Sequence, residues 1–593
     1  MFELHDVSFL VTANPQELVL LGDVSAVFVP GELVAVVGTP GSGKSTLLKL
    51  LAGVHPPTFG EVVWTEDGTP VRPRPPVAFL PQGSYSASRE QNLFTATEQV
   101  ETALRLRVAS LDAISRREQA AALLEKTGLG SLADRRPNTL TAAQQRRLAL
   151  ALELTGSPAL VLCDEPAVAF DPKTECDFAQ LLQKFAREES LAAVHVTQAL
   201  GDLESYDSVI VLHGGQLAYQ GPPEFLAHYF AIPSAVELYE RLAAKRPDDW
   251  HRTWVQQGVR SKNPEGKGQI VAGISDAYRA FFLRKRPGDA ERGNTTRPPM
   301  DLPGAFSQFV TLLRRRWLAA LRNFPALGMQ FTLLLGFPCA LAFFAVGDLI
   351  RLQELSEQLR GNVAEQLKEN AVFAVNASHG IGLVAGLAMA QALLLAFMAS
   401  HNAAREIVGE RASFEKEKYR GLRPGAYVAS KAFFLLPWVL LQSSWMGCYI
   451  KSVCRLPGDL WMQIAVLALV NAALTSLCLA VSSLTRTPWR SMPICLCLAA
   501  LQLPLSGTVL APPDTLSWIA RPLGTLYWGA SAYLQTMQGT RFYEALQVVT
   551  PLTLSPIFLC IAILGSQIVL GLLLTMAGCK MARFGVASRP HGT

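Results

Sequence analysis

Six uncharged stretches in the second half of this chain constrain its fold more than any other feature: residues 323–347, 376–400, 432–450, 460–485, 491–513 and 545–579. Each holds the ~20 apolar residues that a membrane-crossing helix needs. In lipid every backbone amide must be bonded within its own segment, so such runs cross as helices. Six spans are the natural count, and the long last run has room for a re-entrant turn before its helix. Basic residues in the connecting loops set the orientation. With the N-terminus inside, the inner segments carry Arg314, Arg315, Arg316 and Arg322, seven basic residues between 401 and 431, Arg486 and Arg490, then Lys580, Arg583 and Arg589; the outer loops carry three, two and two. Both termini are therefore expected on the cytoplasmic side of a multi-pass protein of the cell membrane. The opening MFELHDVSFLV has no basic region followed by an apolar stretch, so it does not read as a secretory signal.

Residues 1–230 have another character, alternating short apolar runs with polar helical segments in the manner of an α/β domain. Residues 231–304, with KRPDD, RSKNPEGKG and RKRPGDAERGNTTRPP, read as a charged linker with little packed core. Residues 305–593 form the membrane domain. It opens on Phe306, Phe309, Leu313, Trp317 and Leu321, spaced helically among arginines: an amphipathic helix at the membrane surface, or else an extension of the first span. A formal charge of +5 over 593 residues gives no reason to expect a nucleic-acid partner. Of the ten cysteines, Cys163 and Cys176 lie in the polar half and Cys454 in a short loop. Cys339, Cys448, Cys478, Cys495, Cys497, Cys560 and Cys579 lie in apolar runs, and most of the ten read as reduced core residues without zinc-type pairs.

The chemistry is concentrated in the first half. The apolar run from Leu33 leads into GTPGSGKST, residues Gly38, Thr39, Pro40, Gly41, Ser42, Gly43, Lys44, Ser45 and Thr46. This is the phosphate-loop pattern of strand, glycine-rich turn and helix. Backbone amides close around the phosphates, Lys44 neutralises their charge and the Ser45 hydroxyl can ligate magnesium. Downstream, ALVLCDEP ends an apolar strand on Asp164, suited to the magnesium shell, and Glu165, suited to polarising an attacking water. Between them lie Gln82 in FLPQ and the stretch NTLTAAQQRRLALAL, where Thr141 and Gln144 have the spacing of a helix capping box.

In this order and spacing, nearly all of residues 1–225 resembles the nucleotide-binding domain of ABC transporters. The resemblance implies an α/β P-loop fold that takes ATP and Mg2+. It implies that Gln82 is the Q-loop glutamine, reaching the γ-phosphate and its metal and contacting the membrane domain. Leu140, Thr141, Ala142, Ala143 and Gln144 become the signature, whose amides face the γ-phosphate bound to the opposite subunit, and Asp171 the D-loop aspartate. Three departures stand out. Ala142 and Ala143 replace glycines, Val168 and Ala169 replace the small polar D-loop residue, and Thr197 or Gln198 stands where the family has its switch histidine. His195 lies two residues too early and would point along or into the sheet.

A nucleotide domain followed by six spans in one chain resembles the G subfamily (white/PDR type), with an all-α membrane domain of ABC-2 type. In that light Glu410, Arg411, Phe414, Glu417, Tyr427, Lys431 and Pro437 resemble a coupling segment touching the nucleotide domain. Residues 512–544, with Trp518, Tyr527, Trp528, Tyr533 and Tyr543, resemble a re-entrant loop, though the aromatics also suit an interfacial belt. The resemblance further implies a dimer of half-transporters, with a homodimer expected ahead of a heterodimer. It implies a cavity between the second and fifth spans, where Gln391 and Gln502 are either polar lining or interhelical partners. An apolar cavity suits export of a hydrophobic small molecule or lipid. The competing reading is an ATP-binding subunit that hydrolyses weakly and serves a heterodimeric partner.

Overall fold

A computed structural model describes residues 1–13, 16–66, 69–70, 75–82, 90–164, 172–260, 302–345, 363–506, 521–540, 543 and 554–582. The chain divides into two units, residues 1–87 with 94–303 and residues 88–93 with 304–593.

The first unit is built on two sheets. Strands β1 (Phe2–Ala13), β2 (Gln16–Phe28), β4 (Phe59–Glu66) and β5 (Thr69–Pro70) make an antiparallel sheet in the order β2-β1-β4-β5. The second sheet runs β10-β9-β3-β8-β7-β6, from β3 (Leu33–Gly38), β6 (Val77–Leu80), β7 (Leu160–Cys163), β8 (Ala192–Val196), β9 (Ser208–His213) and β10 (Gln216–Gly221). Its five strands from β9 to β6 are parallel, and β3, β6, β7 and β8 are buried along their whole length. This is why they read as unbroken apolar runs. Helices α1 (Lys44–Ala52), α2 (Ala96–Arg107), α3 (Ala113–Lys126), α4 (Ala142–Leu154), α5 (Pro172–Glu188), α6 (Pro223–Phe230), α7 (Leu238–Ala243) and α8 (Pro247–Arg260) complete the unit.

Here the structure corrects the expected domain boundary. Residues 231–260 are not a loose linker, since Leu238, Leu242 and Trp250 are buried in the same core as Phe178, Tyr219 and Phe230, while the rest of the expected linker, to residue 301, lies outside the described residues. Lysine and proline content concealed an amphipathic pattern in which only one face of α7 and α8 is apolar.

The second unit is helical: α9 (Ala305–Arg322), α10 (Phe324–Ala345), α11 (Val363–Ala403), α12 (Arg411–Tyr419), α13 (Pro424–Cys454), α14 (Leu460–Leu484), α15 (Pro488–Leu505), α16 (Thr525–Gln535) and α17 (Ile557–Met581). Among the described residues five segments are long and apolar enough to cross a membrane: Phe324–Ala345, Val384–Tyr419, Pro424–Cys454, Leu460–Leu484 and Ile557–Met581. The remaining expected span corresponds to α15, whose predicted continuation to residue 513 lies outside the described residues. The amphipathic helix α9 ends at Arg322, and Asn323 leaves the helical conformation before α10 begins, so α9 is no extension of the first span.

Small residues let the helices approach closely, as expected where lipid supplies no hydrophobic driving force. A Cβ on Gly571 or Gly578 of α17 would lie 2.4 or 2.3 Å from the hydroxyl of Ser476 or Ser483 on α14. Four helices also share buried amides. Gln330 donates to Asn402 (2.8 Å), Asn402 to Gln442 (3.0 Å) and Gln442 back to Gln330 (3.3 Å), and Asn471 joins through Gln442 (3.4 Å).

Several membrane-half expectations change. Cys454 is not in a loop but is the buried last residue of α13. Trp528 and Tyr533 on α16 are buried in the core of the unit and form no interfacial belt, while Trp518 lies outside the described residues. Gln391 is fully buried on α11, and Gln502 is 1% exposed and donates to the Leu523 carbonyl (3.4 Å), so both are enclosed within one chain. The side chains read as a coupling surface are committed inside the unit. Phe414 stacks on Tyr427 at 4.2 Å, Lys431 lies 2.9 Å from Glu410 and 3.0 Å from Glu406, and Arg315 pairs with Glu417 at 2.6 Å. Arg316 bridges Glu406 (2.5 Å) and Glu90 (3.0 Å). Pro437 lies inside α13.

Candidate functional site

The parallel strands β3, β8 and β7 end at one edge of the sheet, where open α/β folds bind their ligands. From β3 the chain turns through residues 38–43 into α1. A Cβ at Gly38 would lie 2.2 Å from the Leu212 carbonyl oxygen and 2.6 Å from Ser42 Oγ, and Gly43 has φ of 91° with the Leu20 carbonyl 2.7 Å from where a Cβ would stand. Only glycine fits either position. Lys44 is buried, with Nζ donating to the carbonyls of Gly38 (2.7 Å) and Thr39 (3.1 Å), so the side chain curls over the loop. Among the described residues Ser42 Oγ is buried without a hydrogen-bond partner. Thr39, Ser45 and Thr46 are half-buried, and Pro40 and Gly41 are exposed.

Asp164 follows β7. Its amide donates to the Leu80 carbonyl (2.9 Å), and its Oδ1 accepts from Ser45 Oγ (3.0 Å). A carboxylate and a hydroxyl at this separation, beside a lysine-capped loop with an orphaned serine hydroxyl, fit a hard divalent cation and the phosphates it bridges. Glu165 and Asp171 lie outside the described residues. Gln82 is described and exposed, just beyond β6.

Helix α4 begins as the sequence predicts. Gln144 N donates to Thr141 Oγ1 (3.3 Å) and Thr141 N to Gln144 Oε1 (2.9 Å), a complete capping box. The Ala142 and Ala143 amides precede the first intrahelical bonds, which leaves a positive helix end with no acidic residue in its first turn.

Arg146, one turn further on, was missed by sequence reasoning. Buried to 4% exposure, it donates to the carbonyls of Pro81 (2.8 Å), Asp164 (3.1 Å) and Leu80 (3.3 Å), tying the segment before Gln82 to the aspartate strand. Burial pulls its pKa down, opposed by Cys163 and Asp164. The available signal was its place on the buried face of α4, four residues before Leu150.

At β8 the structure places His195 inside the sheet, in line with its spacing. His195 is fully buried within the sheet, with Nδ1 2.7 Å from the Tyr206 hydroxyl, and burial lowers its pKa to about 3. Thr197 is also buried, whereas Gln198 is exposed at the edge. The register with β3 ends at the Val36–Val196 pair, and the Thr197 amide still donates to the Val36 carbonyl (3.3 Å), so Gln198 lies just past the ladder.

Fold and edge together define a P-loop nucleotide-binding domain followed by a helical membrane unit. The family described as ABC transporter matches residues 21–168, and the family described as ABC-2 type transporter matches residues 307–538. An energy-coupling factor transporter ATP-binding protein, EcfA2, from Bacillus licheniformis is 32% identical over 242 residues, covering 39% of this chain and 84% of that protein. The chain belongs to the ABC transporter family. The ABC transporter ATP-binding/permease protein Rv1747 of Mycobacterium tuberculosis is 26% identical over 556 residues, covering 87% of this chain and 56% of that protein. The methionine import ATP-binding protein MetN of Corynebacterium jeikeium is 31% identical over 221 residues, covering 37% of this chain and 60% of that protein. This chain thus spans 56–62% of the length of the first curated relatives it matches.

Proposed function

We propose that the chain is a half-transporter with the domain order of the G subfamily, in which ATP drives export of a hydrophobic or lipid-like substrate and two copies make the working unit. The observation that carries this reading is the Ser45–Asp164 pair beside the curled Lys44. Ser45 and Asp164 would hold Mg2+, with Gln82 completing the shell, and the metal supplies neutralisation of phosphate charge. Lys44 binds the β- and γ-phosphates, amides of residues 38–46 wrap them, and Glu165 polarises the attacking water. Gln198 takes the γ-phosphate edge in place of a histidine.

Dimerisation is favoured by the exposed amide end of α4, capped by Thr141 and carrying Ala142, Ala143 and Gln144, which suits a phosphate from a second copy. Export is favoured by the fused order of nucleotide and membrane halves, and a lipid-like substrate by the length and apolar composition of the membrane helices.

The test is reconstitution of the full chain in phospholipid vesicles carrying a fluorescent lipid. ATP and magnesium should accelerate its movement between leaflets, and size measurement in detergent should give a dimer. A monomer, or movement indifferent to ATP, contradicts the proposal. A second reading, a weakly hydrolysing partner subunit, is favoured by one observation: His195 is enclosed in the sheet, which leaves Gln198 at the edge. That reading predicts ATP-driven movement only after a second transporter chain is added.

A further inference from the structure

Resting on that reading of the ATP site, we infer that Thr197 and Glu175 are positioning residues that hold the segment carrying Gln198 against the γ-phosphate edge of the sheet. Thr197 is 1% exposed and is held in three ways. Its amide donates to the Val36 carbonyl on β3 (3.3 Å), the strand that enters the phosphate loop. Its hydroxyl donates to Glu175 Oε1 (2.5 Å) and accepts from the Ala199 amide (3.0 Å). The residues on either side of Gln198 are thereby joined through one hydroxyl, and Gln198 projects from a closed turn.

Glu175 comes from α5, the helix that follows Asp171 in sequence, and is itself 8% exposed. A carboxylate taken out of water needs hydrogen-bond donors, and a buried hydroxyl placed between a carboxylate and an amide is satisfied in both of its roles. Losing the Thr197 hydroxyl takes a donor from the buried Glu175 carboxylate and an acceptor from the Ala199 amide at once, so the arrangement has one strongly preferred geometry. His195 and Tyr206 line the same interior, 2.7 Å apart, and pack with Phe178 beneath the turn.

The functional consequence follows from the side chain at position 198. A glutamine amide must present its oxygen and nitrogen in a fixed direction to orient a water or a phosphate oxygen, and a misplacement of about 1 Å can cost about 100-fold in rate. A device that fixes the backbone on both sides of Gln198 meets that requirement from within the chain. It also links the turn to α5, so that a shift of the helix after Asp171 is felt at Gln198.

The experiment is a double-substitution cycle on the full chain in lipid, reading kcat and KM for ATP, together with amide hydrogen exchange across residues 196–200. Thr197→Val and Glu175→Leu should each lower kcat about tenfold with KM within about twofold, since one misdirected side chain alters the transition state more than binding. Thr197→Ser should restore kcat, because it restores the hydroxyl. In a Gln198→Ala background Thr197→Val should add no further loss, the signature of a residue acting through another. The Ala199 amide should exchange faster in Thr197→Val by more than the amides of β3 and β7, so that the local loosening stands apart from any fall in the thermal midpoint.

Equal losses in both backgrounds, or unchanged exchange at Ala199, overturn the inference. Wild-type turnover no higher than that of Glu165→Gln overturns the ATPase reading instead, and exchange at Ala199 then judges the turn alone.

Discussion

Two stretches of the same sheet edge differ in how they are built. At the ends of β3 and β7 the site is assembled from residues whose chemistry admits little substitution: glycines where a Cβ would strike backbone, a buried lysine, and a serine hydroxyl 3.0 Å from a carboxylate. At the end of β8 the histidine lies inside the sheet and an exposed glutamine stands at the edge, held by a buried Thr197–Glu175 contact. The difference teaches that binding and turnover are separable demands on this edge. On the proposed reading the first region supplies charge and the groups that would hold a metal, and the second fixes one side chain's direction, which several residue types can supply if the backbone is held.

Breaking the first region should have the larger effect. Lys44→Ala removes a charged donor to phosphate and should weaken ATP affinity by about 10- to 100-fold, read with a fluorescent nucleotide. Retained affinity would place the phosphates elsewhere. Sharpening the second region should raise turnover. Gln198→His supplies an imidazole at the edge, and kcat should rise about tenfold, within the range of a positioned general acid or base. A fall in kcat would mean that the glutamine is already the adapted residue. A smaller effect is expected at the helix end that, in the proposed dimer, would complete the site from a second copy. Ala142→Gly with Ala143→Gly permits closer approach of the α4 amides and should raise kcat about threefold, although each glycine destabilises the first turn by about 0.5–1 kcal/mol.

The last prediction concerns stability. His195 has a folded pKa of about 3 because burial excludes the charged form, whereas the unfolded chain protonates near pH ~6.5. Below that pH the unfolded state binds the extra proton, so stability falls as pH drops from about 6.5 toward 3, by at most ~1.4 kcal/mol per unit. The thermal midpoint of the nucleotide-binding unit should decline more gently with acid in His195→Phe, and parallel curves would contradict the assignment.

Much of this was legible in the sequence because it is local. The phosphate loop, the capping box of Thr141 and Gln144, the inward His195 and the separate amphipathic helix all follow from spacing over a few residues. What escaped depends on contacts distant in sequence. Arg146 meets Leu80 and Pro81 across more than sixty positions, and Thr197 meets Glu175 across twenty-two. The residues read as a coupling segment stand out as a group, but their partners within the membrane unit do not: a charge run such as AREIVGERASFEKEK gives no sign that Glu406 and Glu410 are buried against Lys431 and Arg316. The segment after Ala231 misled through its composition, since three buried residues are enough to anchor α7 and α8.

The central claim is that this edge hydrolyses ATP without a histidine at the switch position. Its most direct test is magnesium-dependent ATP hydrolysis by the full chain in lipid, measured beside Glu165→Gln. The account predicts slow turnover that requires magnesium and disappears in Glu165→Gln while ATP remains bound. Turnover equal in the two proteins would contradict it.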